Sequence, residues 1–303
     1  MKKTILIFCL WLFSCAIYGQ QQVMFTQYMF NGLAINPAYA GIHEGLSGSI
    51  LWREQWAGFE GAPSTQTLSL HSPIGQSSAS YGALIIRDKI GVTEQIGAQG
   101  AAAYRIFINE EARLSFGLQA SMTNFRANYI DSTTGSDPTL ANSNVNEIKP
   151  NFGLGLLYHS DKYYLGFSIP QMLNQSFDQT SESSEAQLVR HYFITGGIVI
   201  DLNPDFKLKP NLLLKYVAGA PIQVDLNLNL LIKEIVWVGV SYRSFESIDF
   251  LMQLQLTPKL QLGYAYDLST SSELRSVNSG SHEIMLNYVF QLTKTRAVSP
   301  RYF

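Results

Sequence analysis

Ile222-Gln223-Val224-Asp225-Leu226-Asn227-Leu228-Asn229-Leu230 alternates without a break, every even position apolar and every odd one polar. A strand sends successive side chains to opposite faces, so this stretch predicts a strand with one apolar and one polar side. The same period returns nearby. Phe250, Met252, Leu254 and Leu256 share a face with Gln253 and Gln255 opposite; Leu260, Leu262, Tyr264 and Tyr266 share another; Ile284, Leu286, Tyr288 and Phe290 a third. Working outward, about fourteen runs of this kind are found. They cover 45–56, 64–72, 79–88, 92–107, 112–126, 150–159, 162–170, 190–201, 206–217, 221–233, 235–244, 247–257, 258–267 and 281–292, the third, fourth and eighth alternating weakly. No heptad or helical domain interrupts them. The expected fold is all-β: one transmembrane outer-membrane β-barrel of about 14 antiparallel strands.

The connections test this count. If the first strand rises from the periplasm, every second connection is a periplasmic turn, and bacterial barrels keep those short. The segments so placed are Gly75 to Ser78, Ile108 to Glu111, Ser160-Asp161, Asn203-Pro204-Asp205, Lys233-Glu234 and Thr257-Pro258, all short and turn-like. The long polar segments Asp131 to Lys149, Gln171 to Val189 and Ser269 to Gly280 all fall on the outer side. A soluble β-sandwich or soluble barrel also alternates, with its apolar face inward. Three features favour the membrane: few charges, an even strand count, and aromatics near strand ends (Trp52, Trp56, Tyr158, Tyr163, Tyr192, Tyr216, Tyr242, Tyr266 and Tyr288).

Composition agrees. Hydrophobic residues make up 46% and charged residues only 15%, against roughly 25% charged in soluble domains. No apolar stretch reaches the ~18 residues of a transmembrane helix. Lys2 and Lys3 followed by the apolar run Ile5 to Phe13 and the small residues Ser14, Ala16 and Gly19 read as a secretory signal over 1–19, cleaved near Gln20. Leu12-Phe13-Ser14-Cys15 supplies a rival reading as an imperfect lipoprotein acylation site. Cys9 and Cys15 are the only cysteines, so the exported part is expected to hold neither a disulfide nor a thiolate metal site. A net charge of −2 argues against nucleic acid as a partner.

The amino-terminal third carries longer motifs. Phe25-Thr26-Gln27-Tyr28-Met29-Phe30-Asn31 leads to Ile35-Asn36-Pro37-Ala38-Tyr39-Ala40-Gly41; Arg53-Glu54-Gln55-Trp56-Ala57-Gly58-Phe59 and Gly61-Ala62-Pro63-Ser64-Thr65-Gln66-Thr67 follow. With Asn151-Phe152-Gly153-Leu154-Gly155, Gly166-Phe167-Ser168-Ile169-Pro170 and the terminal Pro300-Arg301-Tyr302-Phe303, they resemble the PorP/SprF family of Bacteroidetes outer-membrane proteins, part of the type IX secretion and gliding machinery. The resemblance spans essentially the whole exported chain. It implies a barrel that captures, helps export or anchors large secreted proteins bearing a C-terminal sorting domain. The implied partners are those proteins, other type IX secretion subunits and outer-membrane lipid. It supplies no catalytic residues, and it does not separate a machine subunit from a substrate-dedicated partner.

Individual residues refine the expectation. Residues 20–41 precede the barrel domain at 42–303 and mix aromatics with amides, a composition that suits either a segment folded into the lumen or a tether under the barrel floor. In the lumen, Gln27, Tyr28, Asn31 and Asn36 would bond the wall. Arg53 and Gln55 share the inward face with Ser47 and Ser49; Arg53 calls for a carboxylate, and Asp225 or Glu283 are the inward candidates. The wider lining reads as Thr65, Thr67, Gln119, Ser121, Asn211, Gln223, Asn227, Asn229, Gln253, Gln255, Gln261 and Asn287. Arg at lipid-facing Leu228 or Leu254 should impair assembly, and Arg at Asn229 or Gln255 should be better tolerated. The five histidines (His43, His71, His159, His191 and His282) lack metal-ligand spacing. His71 and Ser69 share a strand face, but no nucleophile motif such as G-x-S-x-G is present, and Gly41, Gly45 and Gly48 open no nucleotide-binding helix. Neither an enzyme nor a cofactor is expected. The alternative to partner capture is a porin or hydrophobic-compound transporter, since fourteen strands leave room for either.

Overall fold

The computed structural model describes residues 22–43, 45–128, 145–177, 187–290 and Tyr302. The expected signal at 1–19 lies outside them, as do 129–144 and 178–186 of the two longest outer loops.

Each alternating run becomes a wall strand paired antiparallel with its neighbours. The first half comprises β1 (Leu46–Glu54), β2 (Ser64–Pro73), β3 (Ala79–Ile90), β4 (Thr93–Phe107), β5 (Arg113–Ala127), β6 (Val145–His159) and β7 (Tyr163–Ile169). β8 runs over His191–Ile198 and resumes as Ile200–Asn203. β9 (Phe206–Val217), β10 (Gln223–Ile232), β11 (Val236–Arg243), β12 (Ser247–Gln255), β13 (Leu260–Ser269) and β14 (Ser281–Phe290) follow. β14 returns to β1, from Leu46 opposite Phe290 to Glu54 opposite His282. The sheet is thus a closed fourteen-strand antiparallel barrel, and closure leaves no open sheet edge along the spanning wall.

Two departures from the sequence expectation have local causes. The eighth run, expected whole over 190–201, is interrupted at Val199, although register is kept from Gly197 opposite Asn211 to Ile200 opposite Leu208. The interruption lies beside Pro210, which has no N–H to give to the ladder. The sixth strand starts at Val145 rather than 150, so the last residues of the expected loop Asp131 to Lys149 belong to the wall and pair with β5 as far as Val145 opposite Ala127. β7 meets β6 only from Leu154 to His159. The outer ends of β5 and β6 therefore rise past β7. Residues 145–149 are polar at most positions (Asn146, Glu147, Lys149), so the lipid-driven alternation that marks a membrane strand is lost there.

Burial follows the pleat. On β10, Gln223, Asp225, Asn227 and Asn229 are buried inside while Leu226 and Leu228 are 53% and 45% exposed. Ile50, Trp52, Phe116, Leu118, Phe152, Phe250, Met252 and Ile284 extend the exposed apolar belt around the barrel. At roughly half exposure each, these side chains would be costly in water and are at home in hydrocarbon. Tyr158, Tyr163, Tyr216 and Tyr242 lie at the strand ends. Residues 233–235 join β10 to β11; Lys233 and Glu234 are both at positive φ (50° and 57°), and the Ile235 N–H closes the turn on the Ile232 carbonyl at 3.0 Å. Among the described residues, the connections on this side of the barrel are all short. The opposite side carries 55–63, 270–280 with its helix α1 (Ser272–Val277), and the two longest connections. The latter is the outer side.

Candidate functional site: the lumen and its amino-terminal segment

Residues 22–43 lie inside the barrel. Three single-turn 3₁₀ helices, Tyr28–Phe30, Gly32–Ala34 and Pro37–Tyr39, fold the segment compactly, and nearly all of its side chains from Met24 to Ala40 are buried. Proline and glycine keep the turns short, and Asn36 caps the third: its Oδ1 accepts from the Ala38 N–H at 2.9 Å, with Pro37 at the first helical position.

The segment can be followed through the lumen by its contacts. Gln22 donates its backbone N–H to Nε2 of His191 (3.3 Å) at the outer end of β8. Arg243, at the outer end of β11, donates to the Phe25 carbonyl (3.4 Å). The chain then descends, and Phe30 meets Trp237 at the inner end of β11 with ring centroids 6.0 Å apart. Ser69 Oγ donates to Asn31 Oδ1 at 3.0 Å, and Ser168 Oγ to the Ile35 carbonyl at 2.9 Å. At the inner rim the Gly41 N–H donates to His71 Nδ1 (3.2 Å), and Arg105 donates to the Gly41 carbonyl.

A buried ionic belt grips residues 25–27. Glu283 accepts two successive backbone N–H groups, Thr26 at 2.9 Å and Gln27 at 2.8 Å. Thr26 Oγ1 donates to Asp267 (2.9 Å) and accepts from Arg53 (3.0 Å). Arg53 pairs with Asp267 at 2.6 Å and Glu283 at 3.3 Å. Beside it, Arg243 pairs with Asp225 at 3.0 Å and Glu246 at 3.4 Å, and Ser241 donates to Asp225 at 2.7 Å. Charges this deeply buried persist only when paired and hydrogen-bonded, and here the amino-terminal segment supplies part of that satisfaction.

The expected site residues fall as follows. Gln27 sits at the centre, its Oε1 accepting from Gln253 at 3.1 Å. Asn31 and Asn36 bond the wall, Asn36 Nδ2 donating to the Leu156 carbonyl at 2.9 Å. Tyr28 is buried against Leu157 and Tyr164 around a small cavity that also touches Met29, Ile35 and Asn36. Of the two carboxylates considered for Arg53, Glu283 is a partner and Asp225 is not; Asp225 serves Arg243. Gln55 does not join them: it is half-buried past the end of β1, its N–H donating to the Pro63 carbonyl at 2.9 Å.

Sequence reasoning missed Thr26, Asp267 and Arg243. Asp267 was legible in principle, as a carboxylate in an inward register position two strands from Arg53. It also missed an apolar side of the lumen. Leu51, Leu84, Leu213, Leu231, Trp237, Leu251 and Met285 point inward and pack on Met24, Phe25, Met29 and Phe30. The signal was available where alternation fails: Leu213 stands between Leu212 and Leu214, and Leu251 between Phe250 and Met252. Those triplets give a strand apolar contacts on both faces, lipid outside and the segment inside.

Two glycines complete the fit. A Cβ on Gly117 would overlap the Pro37–Ala38 backbone, and one on Gly155 would overlap the Asn36 side chain. The wall is bare where the third 3₁₀ turn presses against it. Tyr302 closes the inner side of β9, its hydroxyl accepting from Lys207 at 2.5 Å and its carbonyl from Lys209. The motifs that are far apart in sequence thus meet: Thr26 with Arg53, Ile35 and Asn36 with 155–168, and Tyr302 with Phe30 through Lys209, whose Nζ lies 4.6 Å from the Phe30 ring centroid.

A closed barrel with an apolar belt, aromatic strand ends and a lumen filled by its own amino-terminal segment defines an outer-membrane β-barrel. The profile described as "Type IX secretion system membrane protein PorP/SprF" matches residues 17–288. The chain belongs to that family. No curated protein matches it in sequence. Among solved structures it is similar to the CymD monoaromatic hydrocarbon channel, at 15% identity and a TM-score of 0.48 over 86% of this chain and 93% of that one. It is also similar to the Acinetobacter baumannii outer membrane protein Omp33 (9%, TM-score 0.47, 82% and 100%) and the KdgM porin (10%, TM-score 0.41, 81% and 99%).

Proposed function

We propose that this barrel serves the capture, export or surface anchoring of large secreted proteins that carry a C-terminal sorting domain, working with other type IX secretion subunits and not as an enzyme. The observation that carries the reading, beside family membership, is the filled lumen. A barrel occupied from its outer mouth to its inner rim by residues 22–43, held by buried ion pairs, is poorly suited to free diffusion of solutes. Its useful surfaces are then the outer connections on a rigid wall, where binding commonly resides. Outer strand ends and loops offer main-chain hydrogen bonds that recognise a recurring domain without strict side-chain readout.

The test is a clean deletion in the native cell. Small-solute permeability should stay nearly unchanged while one or more large surface proteins are lost, degraded or released. Shortening the outer connections within 129–144 or 178–186 should reduce display of the partner while the barrel still assembles. A deletion strain that keeps all its surface proteins and loses uptake of a small solute would instead establish a transporter.

A further inference from the structure

We infer that the amino-terminal segment is threaded outward through the barrel, so that its amino end is presented at the extracellular mouth and forms part of the surface a polypeptide partner meets. An amino-terminal tether would leave the chain's start in the periplasm, below the inner rim. The contacts describe the opposite course. The segment joins β1 at the inner rim, where Gly41 touches His71 and Arg105, and β1 then rises to Glu54. Followed back toward the amino end, the chain passes Phe30 near Trp237 at the inner end of β11 and then climbs. Thr26 reaches Glu283 and Asp267, each two residues from the outer end of its strand, β14 and β13. Phe25 reaches Arg243, the last residue of β11, and Gln22 reaches His191, the first residue of β8, which faces Val217 at the end of β9. The hydrogen bonds of Gln22, Phe25 and Thr26 to the wall therefore all land on the outer third of a strand.

The wall holds this course mechanically. Bidentate capture of the Thr26 and Gln27 N–H groups by Glu283 fixes the direction of the backbone, because both donors must face β14 at once. The Arg243 contact to the Phe25 carbonyl holds the opposite side of the same Phe25–Thr26 peptide group. Reversing the arm so that Gln22 pointed to the periplasm would break all three and strand two buried carboxylates, Glu283 and Asp267, with fewer partners. The part of the inference that concerns a partner rests on the proposed function; the topology does not.

The experiment uses the full-length protein in intact cells, with single cysteines at Gln22, at Glu60 in the outer connection 55–63, and at Asp161 in the short inner turn, both controls being exposed. A membrane-impermeant maleimide should label Gln22→Cys and Glu60→Cys on intact cells, and Asp161→Cys only after the outer membrane is permeabilised. Because Gln22 is half-buried, a second variant carries a short epitope inserted between Gln21 and Gln22, read by antibody on intact cells, with heat-modifiable migration confirming an assembled barrel. Detection of the epitope, or a Gln22→Cys labelling pattern that follows Glu60→Cys, supports the inference. If assembled barrels show label and epitope only after permeabilisation, or never, the inference fails, whatever the deletion strain shows about partners. With the topology established, a photo-crosslinking residue at Gln22 should capture the same surface protein that the deletion strain loses; capture of none removes the amino end from the partner surface.

Discussion

Arg53 shows how a single inward charge organises the lumen. One guanidinium nitrogen reaches Thr26, Asp267 and Glu283, so the side chain ties the amino-terminal segment to two strands at once. Removing one member of a buried ion pair leaves the others uncompensated, at a cost of about 3–5 kcal/mol. Arg53→Ala should therefore lower the unfolding free energy of the detergent-solubilised barrel by that order, and hydrogen exchange at the Thr26 and Gln27 amides should accelerate. Unchanged exchange at those two amides would mean that the belt does not hold the segment. Asn36 makes the same point with a neutral group: one amide caps its own turn through Oδ1 and bonds the wall through Nδ2.

At the level of elements, β10 is a strand whose two faces answer to different solvents. Leu228 faces lipid, and an Arg placed there should cost about 2–4 kcal/mol near mid-membrane and impair assembly. The sequence alone also suggests that Asn229→Arg would be tolerated, as a change into a wet lumen. The structure revises this. Asn229 is fully buried, hydrogen-bonded to Asn227 and pressed against Gly239, so an Arg has no room there. Gln255, half-buried at the inner end of β12 and bonded to the Thr257 carbonyl at 2.7 Å, keeps the contrast. Folded yield measured by heat-modifiable migration should fall for Leu228→Arg and for Asn229→Arg, and stay near the parent for Gln255→Arg. Equal behaviour of Leu228→Arg and Gln255→Arg would overturn the assignment of faces.

For the whole molecule, the lumen's contents decide whether the barrel conducts. Fourteen strands enclose space for a water-filled passage or for a polypeptide, and here residues 22–43 occupy it. In planar lipid bilayers the full-length protein should give few or no conductance steps, and a variant lacking residues 22–41 should give large, frequent ones. Should both forms conduct alike, the segment would not be the barrier, and the case against a porin would weaken. The same variant exposes the inward apolar patch of Leu51, Leu213, Leu251 and Met285, so its folded yield should be lower than the parent's.

Period-two alternation was enough to mark the strands and their number; few charges and aromatics at the strand ends then chose a membrane barrel over a soluble sandwich, and with it the polar face as the lumen, because lipid and lumen impose opposite polarity on neighbouring positions. Turn and loop lengths added which end is outer. The aromatics and amides of the amino-terminal segment marked Gln27, Tyr28, Asn31 and Asn36 as lumen candidates, and strand alternation turned Arg53 inward, before any contact was known. The sequence could not place them. Whether residues 20–41 enter the lumen or hang beneath it depends on contacts between positions up to 257 residues apart, such as Thr26 with Glu283, and local pattern carries no information at that range. The pairing of Arg53 with Asp267, the Asp225–Arg243 couple and the inward leucines were likewise decided by the tertiary structure. Closing the wall brings these strands around one segment, and only then does each buried charge and each bare glycine acquire the partner that explains it.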